Sequence, residues 1–499
     1  MTLQEALETL KAMEEAQAAY GQAFSVMYVD GDTVAPKMSY KGRAKALGYL
    51  SGELYSKTVN ERNIEAIQTI LDAGDAVDAL TRRKATVQKE DLEDMLLMPK
   101  EEYQAYQETL TEAGAVWHEA KLKSDWDAFQ PYLEKLVAYK RRFAERKDAS
   151  RPAYDVMLDR YEKGLNTKTL EGFFSLLRSE LTPVILAVKD KPAPDDSCIH
   201  GHFPVEGQRE LNRRVMAVMG LDPERTALGE TEHPFTDGVN KWDVRITTHY
   251  HEDDVSQNLY SVIHEGGHAL YELGVADELQ FTCLSGGSAM SIHESQSRFY
   301  ENLIGRSRPF METLLPILRD VFPEQFRTVT VDQLYRAMNK ATPSLIRTEA
   351  DELTYAMHVA IRFEIEKLMF SGDAKLSELP GIWNQLYHEY LGVTVPDHRR
   401  GILQDSHWSG GLFGYFPSYA LGSAYGVQML HAMERDVDVW GAVRAGDLTP
   451  VTAWLGEHIH RFGQSKTPAE LLVSAEVNPF DPHVYVGYLK KKYGELYSL

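Results

Sequence analysis

The chain predicts an almost all-α fold with one small antiparallel β-sheet. Three observations carry this. Apolar residues recur at i, i+3 and i+4 through most of the 499 residues, a single stretch from Trp242 to Thr248 alternates with period two, and no apolar run approaches 18 residues. With 43 % hydrophobic and 10 % aromatic residues, a large core can form. Length alone would allow about three domains. The uniform helical patterning is read instead as one array spanning residues 1–499, with loops as turns and not as linkers.

In chain order, Leu3 to Tyr20 opens the array, and amphipathic stretches follow at about 42–72, 86–121, 126–146, 168–188 and 206–219. Breaks fall at Pro99, at Asp148-Ala-Ser-Arg-Pro152 and at the Pro/Asp-rich 189–197. The basic run from Lys140 to Lys147 reads as a solvated helix face among acids. Trp242, Val244, Ile246 and Thr248 then alternate with Asp243, Arg245 and Thr247, after an Asp237-Gly238 turn signal. That strand leads toward residues 256–274, and its edge is a candidate platform for an extended peptide.

Residues 256–274 read SQNLYSVIHEGGHALYELG. Leu259, Val262, Ile263, Leu270 and Leu273 set a helical period that stops at Gly274. His264 and His268, four apart, leave one face of that helix a turn from each other. With Glu265 between them they form H-E-x-x-H, in which two imidazoles hold zinc and the Glu handles a proton of the attacking water. Gly266 and Gly267 sit mid-helix, where each is about 1 kcal/mol worse than Ala. Something must therefore approach the helix closely there.

A two-His site needs a third protein ligand. The next predicted helix, from Ser288 to Gly305, carries His293-Glu294-Ser295, with Glu294 placed 26 residues after His268. An antiparallel return brings that carboxylate over the first helix. His293 competes for the role, but adjacent helical residues point about 100° apart, so one of the two faces the metal. Glu294 is the leading candidate.

Composition excludes several partners. A net charge of −21, from 53 basic against 74 acidic residues, argues against nucleic acid and anionic membranes. Two cysteines, Cys198 and Cys283, make no disulfide framework. The first residues contain acids and no apolar h-region, so no signal peptide is expected and a cytoplasmic location is.

Six motifs stand in order: His233-Pro-Phe235; Asp243-Val-Arg245-Ile-Thr247; His264-Glu265-Gly-Gly-His268; His293-Glu294-Ser-Gln296; Ile346-Arg347-Thr-Glu-Ala350-Asp351; and Gly401-Ile-Leu-Gln404-Asp405-Ser-His407-Trp408. With these the chain resembles the carboxypeptidase Taq family of metallocarboxypeptidases over essentially its whole length. The resemblance implies a deep-cleft helical fold like that of oligopeptidases and angiotensin-converting enzymes. It also implies one divalent metal per subunit (zinc or cobalt), a homodimer, and peptide substrates with a free C-terminus taken with broad specificity. An endo-acting oligopeptidase with the same metal site is the alternative.

A carboxypeptidase must read the substrate's terminal carboxylate, and the planar fork of Arg suits this. Arg347 is the first candidate, with Asp351 four residues on to orient it; Arg399 and Arg400 are the second. The Gly- and aromatic-rich stretch 404–426 resembles the substrate-facing segment of related helical metallopeptidases. There His407 and Tyr419, with Tyr415 close behind, are expected to donate to the oxyanion. The resemblance adds His233 and Arg245 to the substrate-facing set. From 427 onward, stretches at about 449–462, 467–474 and 482–495 are assigned to packing or dimer contacts.

Overall fold

Capping and breaker residues cut the predicted helical stretches where backbone chemistry requires. The computed structural model describes residues 1–477 and 480–499. Its first helix, Leu3–Thr33, starts in a capping box between Thr2 and Glu5 and runs well past Tyr20. The 42–72 stretch is two helices, Tyr40–Thr58 and Glu61–Asp72, the second capped by the Asn60 side chain. Pro99 likewise separates Ala79–Leu96 from Lys100–Lys123. Trp126–Asp148, Thr167–Lys189 and Val205–Met219 match the prediction, while the short helix Ala153–Tyr161 was passed over. In the basic run, Arg142 and Arg146 pair with Glu102, and Lys147 pairs with Asp94.

The first helices share a small core built on Ala6, Leu10, Ile67 and Ile70. From Met98 to the C-terminal helix Pro482–Tyr497, buried side chains join one large core. Among the described residues no helix is long and apolar enough to cross a membrane.

The sheet departs from the prediction in two ways. It has three strands, β1 (Thr226–Glu230), β2 (Thr236–Asn240) and β3 (Asp243–Thr248), in the order β1-β3-β2. Only β2 pairs with β3 antiparallel; β1 runs parallel to β3, so the sheet is mixed. Asp237-Gly238 is not the turn but lies inside β2, where an irregularity between Gly238 and Asn240 absorbs the glycine. On β3, Val244, Ile246 and Thr248 are buried as the alternation requires, but Thr247, expected to face outward, is buried as well, and Trp242, expected inward, precedes the strand and is exposed.

The H-E-x-x-H helix spans Val255–Gly274 and starts at Asp254, whose side chain accepts from the Ser256 N–H. The helix that returns over it is Met290–Arg298. It does not continue as an α-helix to Gly305 but passes into a π-helical turn, Phe299–Ile304. A third helix, Pro417–Met433, packs on the far side of Met290–Arg298.

Glycines permit this three-layer stack. A Cβ on Gly267 would lie 2.7 Å from Ser297 Cα and 2.8 Å from Gln296 O, and one on Gly422 would lie 2.5 Å from Glu294 Cβ. The backbone carrying Glu294 is thus pressed between two helices that have no side chain at the crossing. Gly266 differs, since a Cβ there meets chiefly the flexible end of Met219.

Candidate active site

The stack brings three side chains together. One ligand atom from each of His264, His268 and Glu294 lies within 4.8 Å of the other two. Glu294 Oε2 is 3.9 Å from His264 Nε2, and Glu294 Oε1 is 3.9 Å from His268 Nε2. These gaps exceed hydrogen-bond length, so the donors face one another without satisfying one another.

Each imidazole is held from behind through its other nitrogen. His264 Nδ1 meets Glu301 Oε2 at 2.9 Å, and Glu301 is anchored by Arg298 Nη1 at 3.0 Å. His268 Nδ1 meets His293 Nδ1 at 3.0 Å, and His293 Nε2 meets Glu272 Oε1 at 2.8 Å. His293 therefore stands behind His268 and not among the ligand atoms. Such outer partners fix ring orientation and tautomer in metal sites. Burial holds His268 well below the usual imidazole range, which keeps the neutral form a ligand needs.

Glu265 is buried, and its carboxyl is pushed up chiefly by that burial, with His264 and the Thr236 hydroxyl working against the shift. Thr236 Oγ1 is 2.6 Å from Glu265 Oε2.

An aromatic wall runs from Glu294 to Arg347. The Arg298 guanidinium lies over the Tyr355 ring at 4.2 Å, and the Tyr355 hydroxyl accepts from Arg347 Nη1 at 3.0 Å. Arg347 also covers Tyr419 at 4.9 Å, and Tyr419 packs edge-to-face with Tyr415 at 5.2 Å. His407 Nε2 is 3.2 Å from the Tyr419 hydroxyl. Burial, reinforced by Arg347 and Arg362, lowers His407 to about 4, so this contact is made by a neutral ring.

Arg347 is not on an α-helix. It opens a 3₁₀ turn, Arg347–Glu349, and is 6 % exposed. Asp351 therefore does not share its face: the Asp351 carboxylate accepts from the N–H groups of Thr342 and Thr354 and closes the local turn. The orienting group is Asp405, whose Oδ1 accepts from Arg347 Nε at 3.0 Å and whose Oδ2 accepts from Arg362 Nε at 2.8 Å. Two guanidiniums against one carboxylate leave this buried pocket of charge net positive. Arg399 and Arg400 are exposed, and Arg400 is neutralised by Asp397. His233 is exposed, and Arg245 is bound bidentately to Asp243, so neither meets the ligand cluster.

A family model described as carboxypeptidase Taq (M32) metallopeptidase matches residues 9–493. Carboxypeptidase 1 of Bacillus subtilis is 38 % identical over 96 % of this chain and 96 % of its own length. Thermostable carboxypeptidase 1 of Thermus thermophilus is 32 % identical over the full length of both. The chain belongs to the carboxypeptidase Taq (M32) family. The solved M32 carboxypeptidase of Deinococcus radiodurans superposes with a TM-score of 0.96 at 32 % identity, covering 99 % of this chain and all of that one.

A metallocarboxypeptidase requires a divalent ion, and the residues of this one fit it. Two imidazole nitrogens and a carboxylate oxygen are a donor set for a first-row divalent metal with positions left for water and substrate. Sequence reasoning missed the groups behind these ligands in the carboxypeptidase. Spacing held the signals: Glu272 follows His268 by four residues and Glu301 follows Glu294 by seven, both one-face intervals on a helix. Thr236 and Arg362 carried no local signal, since each meets its partner only through the tertiary fold.

Proposed function

We propose that this metallocarboxypeptidase removes the C-terminal residue of peptides with broad side-chain tolerance. In this reading His264, His268 and Glu294 hold zinc, Glu265 is the general base and Arg347 binds the terminal carboxylate. The observation that carries the reading is the net positive charge at Arg347, Arg362 and Asp405, joined to the ligand cluster by Tyr355 and Tyr419. Recognition by charge asks for a free α-carboxylate and little of the side chain.

When bound, the ion supplies Lewis acidity toward the scissile carbonyl and makes water a stronger acid. The chain's own groups do the rest. Arg347 Nε is committed to Asp405 and Nη1 to Tyr355, while Nη2 makes no hydrogen bond among the described residues, so the fork keeps N–H capacity for a carboxylate. Glu265 receives the proton released as water attacks and delivers it to the leaving amine nitrogen. If His407 carries its hydrogen on Nε2 and donates to the Tyr419 oxygen, the Tyr419 O–H is free to stabilise the developing oxyanion.

Relatives named carboxypeptidases give no support to internal cleavage. The homodimer and the cytoplasmic location belong to the same proposal. A short peptide, its C-terminal amide and its N-acetyl form, each assayed with and without a chelator, test it. Single-residue release from the free and N-acetyl peptides, none from the amide, and loss of both with chelator is the expected pattern. Cleavage of the amide at an internal bond would overturn it.

A further inference from the structure

Among the described residues, two of the six motifs, His233-Pro-Phe235 and Asp243–Thr247, make no hydrogen bond or ion pair with His264, His268 or Glu294, yet they meet on one buried side chain. Thr247, on β3, is 1 % exposed. Its Oγ1 accepts from the Phe235 N–H at 2.9 Å and lies 2.8 Å from the Thr231 hydroxyl, while its own N–H donates to Phe235 O at 2.9 Å. These bonds fix the backbone on the residue just before Thr236. Thr236 then begins β2 opposite Ile246, with the stiff χ1 of a β-branched residue in a strand. Its Oγ1 ends 2.6 Å from Glu265 Oε2 and 3.0 Å from the Glu265 carbonyl oxygen.

We propose that Thr236 is a positioning residue for Glu265, held in place by the two motifs and fixing the orientation of the carboxyl through its Oε2 oxygen. A threonine hydroxyl has one hydrogen and two lone pairs. Facing an ionised Glu265, it donates to Oε2. Once Glu265 carries the proton, taken up on its other oxygen, Oε1, the Oε2 lone pair still accepts from the Thr236 hydroxyl, and Oε1 is left to pass the proton on. The carboxyl keeps a partner in either state, and neither side chain needs a new rotamer. This assigns a purpose to motif residues that, among the described residues, hydrogen-bond to neither the metal ligands nor Arg347. The inference rests on reading Glu265 as the general base.

The test compares Thr236→Val, Thr236→Ser and Glu265→Gln by kcat, KM and bound metal on an N-blocked dipeptide with a free carboxyl. Thr236→Val is isosteric and is expected to keep its metal and its KM while kcat falls by about 10- to 100-fold, the worth of a hydrogen bond to a charged group. Thr236→Ser, which restores the hydroxyl, is expected to recover most of that kcat. Should the Val protein not fold, Thr236→Ala removes the same hydroxyl and is held to the same expectation. Wild-type kcat in the Val or Ala protein, a loss confined to KM, or a Ser protein as slow as Val would overturn the proposal. An active Glu265→Gln overturns instead the underlying reading of the base, which keeps the two failures apart.

Discussion

Arg347 is 6 % exposed, yet it spends only part of its hydrogen-bonding capacity inside the protein. Truncating one member of a buried charged pair costs about 2–5 kcal/mol. Arg347→Ala is therefore expected to lower kcat/KM on free-carboxyl peptides by at least about 30-fold, with Arg347→Lys only partly restoring it because an ammonium lacks the fork. Unchanged kinetics would return the role to the region of Arg399 and Arg400. Tyr419→Phe removes an O–H without disturbing the ring that Arg347 covers. The expected result is a fall in kcat of about 10²-fold at unchanged KM, as for loss of one oxyanion donor. A fall in KM-limited rate alone would instead mark Tyr419 as support for Arg347.

Between helices, the paired glycines make a sharper prediction than their helix propensity does. Gly267→Ala drives a methyl group into the backbone of Gln296 and Ser297, and strain of this kind typically costs about 1–3 kcal/mol. The strain falls on the segment carrying Glu294, so weaker metal retention in dialysis should accompany the lower melting temperature. Gly266→Ala meets the movable end of Met219 and gains helix propensity, so its stability should stay near wild type. Equal effects of the two substitutions would remove this explanation. The close approach at Gly266-Gly267 was legible in the sequence, as was the helix holding His264 and His268, because both depend on local spacing. The π-helical turn after Arg298 was not legible. An apolar pattern through Phe299, Leu303 and Ile304 is equally that of an α-helix. The parallel pairing of β1 was missed for the same reason, since no local pattern in Thr226–Glu230 states which neighbour it takes.

Across the molecule, the buried acids give stability a pH dependence of mixed sign. Burial pushes Asp405 up, but Arg362 and Arg347 outweigh it and hold the carboxyl well below the usual carboxylate range. Its contribution is thus present above the unfolded value of about 3.8 and is lost as pH falls through lower values. Glu366 runs the other way. Burial raises it to about 7 despite hydrogen bonds from Gly414 N, Trp408 and Tyr154, so its contribution is complete below about 4.5 and fades as pH rises through 7. Urea midpoints followed from pH 4.5 to 7.5 should show a smaller decline in Glu366→Gln than in wild type; parallel curves would contradict the assignment. Neither acid's burial was readable from sequence. Asp405 sits in the Gly401–Trp408 motif, but its partners Arg347 and Arg362 lie 58 and 43 residues away. Spacing alone therefore points to Asp351, the local neighbour, as the orienting group. Catalysis in the proposed mechanism needs an ion held by His264, His268 and Glu294 beside a proton-carrying Glu265. The most direct measurement is metal stoichiometry and turnover of Glu265→Gln on one preparation. One equivalent of metal with turnover reduced by about 10³-fold or more is expected for loss of the general base. Appreciable turnover in the metal-loaded Gln protein would contradict it.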